Sequence, residues 1–481
     1  MNGSVSMSDY LNAGESGMSS ANTLWQLNKA LNTGDYAQAN GVASQLNGAA
    51  LQVESLENSL KVLTYSDKQV KFWKKIYKAP AYSTVEEYNQ LLSYGSEGGG
   101  FTGEGMLPDT EDSTYKRQAS FVKYLGTTRQ VTHPMTLVRS AHGDVITLEN
   151  QNGILWLMKK LETALFWGNS KLAANGQEGV QFDGLNQLID KENTIDIRGK
   201  DLEDYHINQG AQMILENYGT PTDLFLPFET LSKFSQTFFP KERVIMPTAN
   251  NGYQAGLVVN KFQTHGGPVE FQPDLFLQKT ALLPTKATGG KESPSIPASI
   301  EVAVTIGNGV DSVGDFVSSG AGTYDYYVTA VNRHGESLPC AKATLALTAD
   351  DLQKSVTITI TNSTSMAVPP EYFRVYRTEK DGKKAYCILE VPASSSEAGT
   401  KVIAYDKNET MPNTYTSFMG EFSPNVILFK QLAPMLKMNL ATLSPSYRWM
   451  ILLYGVPQLF APKKWMRFKN IKADENFGLM R

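Results

Sequence analysis

The chain has 481 residues, 41% hydrophobic and 19% charged, with a formal net charge of −4. That length allows two or three domains, each with its own core, and the composition excludes wholesale disorder or a fibrous repeat. With no basic excess there is no general grip on a nucleic-acid backbone, and the Lys/Arg clusters are short ones such as Lys71-Phe72-Trp73-Lys74-Lys75.

In chain order, residues 1–57 are rich in Ser, Asn, Gly and Ala, with short helical stretches such as "SANTLWQLNKALN". They read as a weakly packed helical leader. The opening "MNGSVSMSDYLNAGES" lacks the charged and apolar blocks of a signal peptide, and no apolar run approaches the length that crosses a bilayer. Ser59 to Lys78 has stronger apolar character and then meets Pro80. In "STVEEYNQLLSYG", Ser83 stands three residues before Glu86, the spacing of a capping box, so a helix start is predicted there.

Ser96 to Arg139 begins Gly-rich and acidic, with little apolar content. It then alternates Tyr115, Arg117, Ala119 and Phe121 against Lys116, Gln118, Ser120 and Val122. A strand polar on both sides buries no face of its own, so the segment reads as a protruding β-arm that needs a partner. Next comes the strongest helix: Asp144 suits the N-cap, Val145 to Trp167 is periodic, and Gly168 suits C′. Ile154, Leu157, Met158, Leu161 and Leu165 share one stripe, and the helix would span roughly 35 Å.

"YHINQGAQMILENYG", "TDLFLPF" and "ETLSKFSQTFF" read helix, strand, helix, a compact mixed domain. "ATGGKESPSIPAS", from Ala287 to Ser299, reads as a linker. From Ile300 to about Asn413 every apolar run is short, alternating and bounded by turns, about seven strands with the spacing of a β-sandwich. In "GTYDYYVTAVNRHGESLP", for example, Tyr324, Tyr326, Val328 and Ala330 alternate with Asp325, Tyr327 and Thr329 before the turn Asn332 to Gly335. After Asn413 the mixed character resumes, so the sandwich reads as an insertion. Its two cysteines, Cys340 and Cys387, are expected to be free thiols, since no secretion route is evident.

Catalytic and ligand chemistry is hard to place. The histidines at 133, 142, 206, 265 and 334 have no ligand spacing, which gives no metal site. Gly98, Gly100 and Gly103 spell a dinucleotide pattern, but "EGMLPDTEDS" follows where a helix should open, so a flexible tip is the better reading and no cofactor is expected. "TGGKES" at Thr288 to Ser293 is no phosphate loop. Asp109, Glu111 and Asp112 read as solvated charge or a docking partner for a neighbour's Lys/Arg. No nucleophile, base and oxyanion set can be named, so an enzyme is not expected.

The order of glycine-rich arm, long helix, α/β domain and closing strands resembles the Hong Kong 97-type major capsid proteins of tailed bacteriophages. The wording of "STVEEYNQLLSYGSEGGGFTGEGMLPDTEDSTYKRQASFVKYLGTTRQVTHPMTLV", "FDGLNQLID", "YGTPTDLFLP" and "RVIMPT" is similar to those of large contractile-tailed phages of Gram-positive bacteria. The resemblance covers about residues 60–285 and 415–481. "GTYDYYVTAVNRHGESLP" resembles the late-strand signature of a fibronectin type III or immunoglobulin-like domain, with "YFRVYR" and "VIAYD" as later strands.

The resemblance implies an α+β fold of Hong Kong 97 type with an inserted immunoglobulin-like sandwich. The implied parts are a leader (1–57), N-arm (58–95), extended loop (96–140) and peripheral domain with a spine helix (141–204). They continue with an axial domain (205–290), the sandwich (295–415) and an axial or peripheral return (416–481). "SPSYRWMILLYG" is expected in the axial domain. It further implies a virion shell of hexameric and pentameric capsomers around double-stranded DNA, assembled in the host cytoplasm. Portal, scaffold or decoration proteins are its expected partners, without sequence-specific nucleic-acid binding or a membrane. Gly98, Gly100, Glu104, Asp109, Glu111, Asp112, Lys116, Arg117 and Lys123 are the candidate subunit-contact residues, and Glu54 and Glu57 the candidate positions for a leader cut. Lys–Asn cross-links occur in some shells of this fold, but no pair is assigned here. The rival reading is a tail- or surface-associated adhesin whose sandwich binds host-surface glycans through exposed aromatics such as Tyr327.

Overall fold

The computed structural model describes residues 64–474, apart from 96–99, 108–109, 139, 141–142, 174–178, 239–244, 248–252, 256–258, 306–309, 366, 394–396 and 443. The leader, with Glu54 and Glu57, lies outside the described residues. The chain divides into two units, Met1–Val62 with Arg139–Asp144 and Leu63–Val138 with Val145–Arg481, and the second is described below.

The short helix α1 (Phe72–Lys75) and strand β1 (Lys78–Pro80) lead into a ribbon of β2 (Val85–Ser93) and β3 (Thr114–Phe121). Then come β4 (Lys123–Thr132), α2 (His133–Leu137), the long helix α3 (Val145–Trp167), α4 (Leu185–Leu188) and β5 (Thr194–Asp196). Helices α5 (Asp204–Glu216) and α6 (Phe228–Phe238) flank β6 (Asp223–Leu226). Strands β7 (Ile245–Pro247), β8 (Tyr253–Ala255), β9 (Lys261–Thr264) and β10 (Gly267–Pro273) follow. Seven described strands come next: β11 (Ser299–Val304), β12 (Gly322–Val331), β13 (Ala343–Leu347), β14 (Val356–Thr361), β15 (Tyr372–Thr378), β16 (Ala385–Pro392) and β17 (Lys401–Asp406). The chain closes with β18 (Thr414–Gly420), β19 (Ile427–Asn439), β20 (Ser446–Leu459) and β21 (Trp465–Lys472).

One four-stranded sheet, in the order β1-β19-β20-β4, carries α3 on one face. Leu157, Leu161, Leu165 and Phe166 of the helix pack with Val131, Trp449, Ile451 and Leu453 of the sheet. Arg129 and Glu149 add an ion pair at 3.5 Å. The helical bounds and the apolar stripe agree with the expected ones. "SPSYRWMILLYG", expected beside residues 205–285, instead belongs to this helix-backed sheet. As part of β20 it pairs with β4 along ten residues and with β19 on its other side. Its alternation explains the placement: Trp449, Ile451 and Leu453 all turn to α3.

A second sheet runs β5-β21-β18-β6-β10-β9. Here β6 is buried throughout, and its two faces serve different cores. Leu224 and Leu226 meet Ile207, Ala211 and Ile214 of α5 and Phe234 of α6, while Phe225 joins the α3 core. At Gly210 a Cβ would lie 2.3 Å from Met466 Sδ, so a larger residue there would push the ends of Met466 and Met419 aside where α5 packs on β21.

Strands β11–β17 form two antiparallel sheets, β11-β14-β17 and β13-β12-β15-β16, over one shared core. Tyr324, Tyr326, Val328 and Ala330 point inward as the alternation predicts. Cys340 and Cys387 are both free. The segment read as a linker is docked rather than loose. Thr288 N donates to Glu336 O (2.9 Å), Asn332 Nδ2 donates to Glu292 O (2.9 Å), and a Cβ at Gly335 would lie 2.2 Å from Thr288 O. The Ala281–Leu283 stretch also runs along β16, where Cys387 N donates to Ala281 O at 2.8 Å.

The predicted helix start at Ser83 is a correction. Glu86 does reach back, accepting from Tyr82 N (2.8 Å) and Ser83 N (3.1 Å), but the turn it closes opens strand β2. Pairing along β3 overrides the local signal. The arm also finds its first partner within the chain, where one from another chain was expected: Val85↔Phe121 to Leu91↔Tyr115 are in register.

Candidate assembly interface

The ribbon has one anchored face and one open face. On the anchored face Tyr88 stacks edge-on against Phe460 (4.9 Å) and Gln90 Nε2 donates to Phe460 O (2.6 Å). Gln458 Nε2 donates to Glu86 O (3.5 Å), so the ribbon's base rests on the end of β20. Arg117 and Glu87, from opposite strands, pair at 3.3 Å and stiffen the ribbon crosswise; both are exposed, so the pair adds little stability.

Beyond that base the ribbon stands in solvent with an apolar tip. Phe101 is 100% exposed, Leu107 93% and Tyr94 86%, and Met106, Leu92 and Tyr115 are exposed as well. Among the described residues nothing covers these side chains, and exposed apolar groups of this size mark a candidate interaction surface. Gly100 and Gly105 have φ of +89° and +81°, the left-handed region that suits glycine, and Met106 N donates to Gly103 O to close a tight turn. Five acids and no base lie between residues 97 and 112, so the tip offers apolar anchors in an acidic surround.

Of the sequence-predicted residues, Gly98 and Asp109 lie outside the described residues. Gly100, Glu104, Glu111, Asp112, Lys116 and Arg117 are all exposed on the ribbon. Lys123 stands apart: it opens β4, and its ammonium donates to the carbonyl of Gly179 at 3.0 Å. The residues missed were Tyr94, Phe101, Met106, Leu107 and Tyr115. Their signal was large apolar side chains in a glycine-rich loop too short of neighbours to bury them.

A second open surface is the face of the four-stranded sheet turned away from α3. Tyr124 and Tyr454 pack edge-on there at 5.2 Å, beside the cross-strand rows Leu452↔Leu436 and Met450↔Met438. Tyr124 and Met438 are exposed. On the sandwich, Tyr327, expected to be exposed, is partly buried. Among the described residues no His/Cys/Asp/Glu group could hold a metal ion, and no helix is long and apolar enough to cross a membrane.

Comparison with known proteins adds a family. Residues 51–287 match the family described as SU10 major capsid protein. The chain is 31% identical over 436 residues to the protein assigned as major capsid protein in Enterococcus phage phiEF24C, covering 89% of this chain and 91% of that one. It is 28% identical over 431 residues to the major capsid protein of Staphylococcus phage K, covering 89% and 92%. Among solved structures, the capsid of a native GTA particle superposes with a TM-score of 0.45 at 8% identity, over 92% of this chain and 100% of that one. Mycobacterium phage Ogopogo gives 0.43 at 10% identity, over 89% and 99%.

Proposed function

The chain belongs to the family of phage major capsid proteins, and on that premise we propose that the ribbon is the arm by which one copy grips the next in a closed shell. The protein is a structural component of the virion, and the adhesin alternative is set aside because the relatives that match 89% of the chain are capsid proteins. The observation that carries the reading is the solvent-facing tip at Phe101, Met106 and Leu107. Apolar anchors placed that far from their own core become buried only against another chain. A contact of this head-to-tail kind closes into rings when the rotation allows it, here hexamers and pentamers that tile the wall. A net charge of −4 lets that wall enclose DNA without holding it.

The test is negative-stain electron microscopy with light-scattering mass on the recombinant chain. Rings of five or six subunits, tubes or shells are expected, whereas deletion of residues 98–110 should leave soluble subunits that do not assemble. Phe101→Ala should weaken association by about 2 kcal/mol, about thirtyfold, as an interface anchor does. Normal assembly of the deletion variant would overturn the role of the arm.

The architecture fits a Hong Kong 97-type subunit, with α3 and its four-stranded sheet as the peripheral domain and the six-stranded sheet with α5 and α6 as the axial domain. Two observations support an immunoglobulin-like identity for β11–β17. The neighbour order β13-β12-β15-β16 is that of strands G-F-C-C′ with β12 as F. Tyr324 Oη, near the start of β12, donates to Gly320 O at 2.6 Å, the tyrosine corner of that strand. The chain visits these places in a permuted order, with the F–G hairpin ahead of C and C′. We assign the sandwich to the outer surface of the shell. An epitope tag inserted between Asp381 and Gly382, in the exposed β15–β16 turn, should then bind antibody on intact particles. A tag reached only after disruption would refute the assignment.

A further inference from the structure

Glu162 lies in the C-terminal third of α3 and is wholly buried, a placement that needs a reason. Its carboxylate caps α1. Oε1 accepts from Lys71 N (2.8 Å) and Phe72 N (2.6 Å), and Oε2 accepts from Trp73 N (2.8 Å). These N–H groups open a helix and have no acceptor within it. Asp274, in the turn after β10, is equally buried and within hydrogen-bond reach of Glu162. Its Oδ1 accepts from Phe276 N (2.7 Å), while Oδ2 is buried and receives no donor.

Two ionised carboxylates cannot share such a place, so the pair holds one proton. Glu162 has three backbone donors and Asp274 one, so the proton is shared between the two carboxyls, and Asp274 Oδ2 is the oxygen with no other partner. We propose that Glu162 and Asp274 form a single-proton latch tying the entry segment Lys71–Lys75 to the spine helix α3 and the turn after β10, closed while the proton is held and released when it leaves. Three stretches far apart in sequence meet at this one proton.

Burial, with Asp274 alongside, pushes Glu162 up to about 8, and burial pushes Asp274 up as well. The charged group facing the pair is Lys71, which favours ionised Asp274 and opposes burial. Because the two titrate together, the proton belongs to the pair. From the ordinary carboxylate range up to about pH 8 the folded pair binds more protons than the unfolded chain. Stability therefore falls as pH rises through that window and levels off above it.

The test uses the full chain at pH 6 and pH 9, following urea midpoints and hydrogen exchange of the Lys71–Lys75 amides, corrected for intrinsic rates. Asp274→Asn mimics the protonated acid: its Oδ1 still accepts from Phe276 N and its amide still donates to Glu162. It should fold with the wild-type midpoint at pH 6 and keep it at pH 9, where the wild type drops and loses protection in Lys71–Lys75 first. Glu162→Gln turns an amide against the α1 donors and should be weaker at both pH values. Wild type and Asp274→Asn changing in parallel with pH would overturn the latch. So would a wild-type loss of protection spread evenly over the chain.

Discussion

Replacing Phe72 by alanine should cost about 3–5 kcal/mol of unfolding free energy, read as a fall in the urea midpoint of the unassembled subunit. Phe72 is 1% exposed, and its ring meets four others: Phe166 at 5.1 Å, Phe225 at 5.0 Å, Phe422 at 5.7 Å and Trp465 at 6.4 Å. Phe166 comes from α3, Phe225 from β6 and Trp465 from β21. One ring from α1 thus plugs the seam between the helix-backed sheet and the six-stranded sheet. Aromatic edge contacts add to the area term, and the cavity left by alanine is walled by rings that cannot collapse into it without losing one another. Phe72→Leu keeps much of the volume and should cost about 1.5 kcal/mol. Tyr77→Ala, half-exposed and touching only the rim of this cluster at Phe422, should stay near 0.5 kcal/mol. Equal losses at Phe72 and Tyr77 would mean that the seam is not where stability resides.

The segment around Phe72 shows where sequence reading stops. "KFWKK" is visible as a short basic cluster, but its aromatic partners lie some 90 to 390 residues away, and no local period reports them. By contrast α3 was legible to its bounds, because a 23-residue amphipathic run carries its signal within itself. The seven strands of the sandwich were legible for the same reason: each alternates, and each ends in a turn. The helix expected at Ser83 failed because Glu86 satisfies a capping pattern that a strand entry satisfies equally well, and the deciding partner, β3, lies across the 20-residue tip. For the arm, polarity on two faces showed that it protrudes, and charge drew the candidate list toward Glu104, Glu111 and Arg117. The apolar tip was the stronger signal. Phe101 and Leu107 are ordinary core residues by type, and only the geometry shows them exposed, with no core within reach among the described residues.

Substituting Arg377 by methionine should destabilise the sandwich by about 3–5 kcal/mol, with loss of hydrogen-exchange protection concentrated in β11–β17. In "YFRVYR" the alternation that sends Phe373 and Val375 inward sends Arg377 inward too, and the structure follows it: Arg377 is 0% exposed and Asp406 4%. A guanidinium there survives because both of its terminal amines are answered, although its buried Nε has no acceptor among the described residues. It pairs with Asp406 and Asn408, and it lies over the rings of Phe316 (4.9 Å) and Tyr324 (5.6 Å). Tyr326 Oη donates to the same Asp406 at 3.0 Å. Methionine fills the volume but leaves the Asp406 carboxylate buried without its cation, and that orphaned charge is the main cost. Arg377→Lys keeps the charge but not the fork that reaches both partners, so an intermediate loss of about 1–2 kcal/mol is expected. Adding Asp406→Asn to Arg377→Met removes the orphaned charge and should recover part of the loss, a coupling of about 0.5–3 kcal/mol. Asparagine can still accept from Tyr326, so the double variant should keep the inward packing of β12. If Arg377→Met alone stayed within about 0.5 kcal/mol of wild type, the ion pair would be incidental, and the sandwich would owe its single packed state to the aromatic and β-branched residues around it.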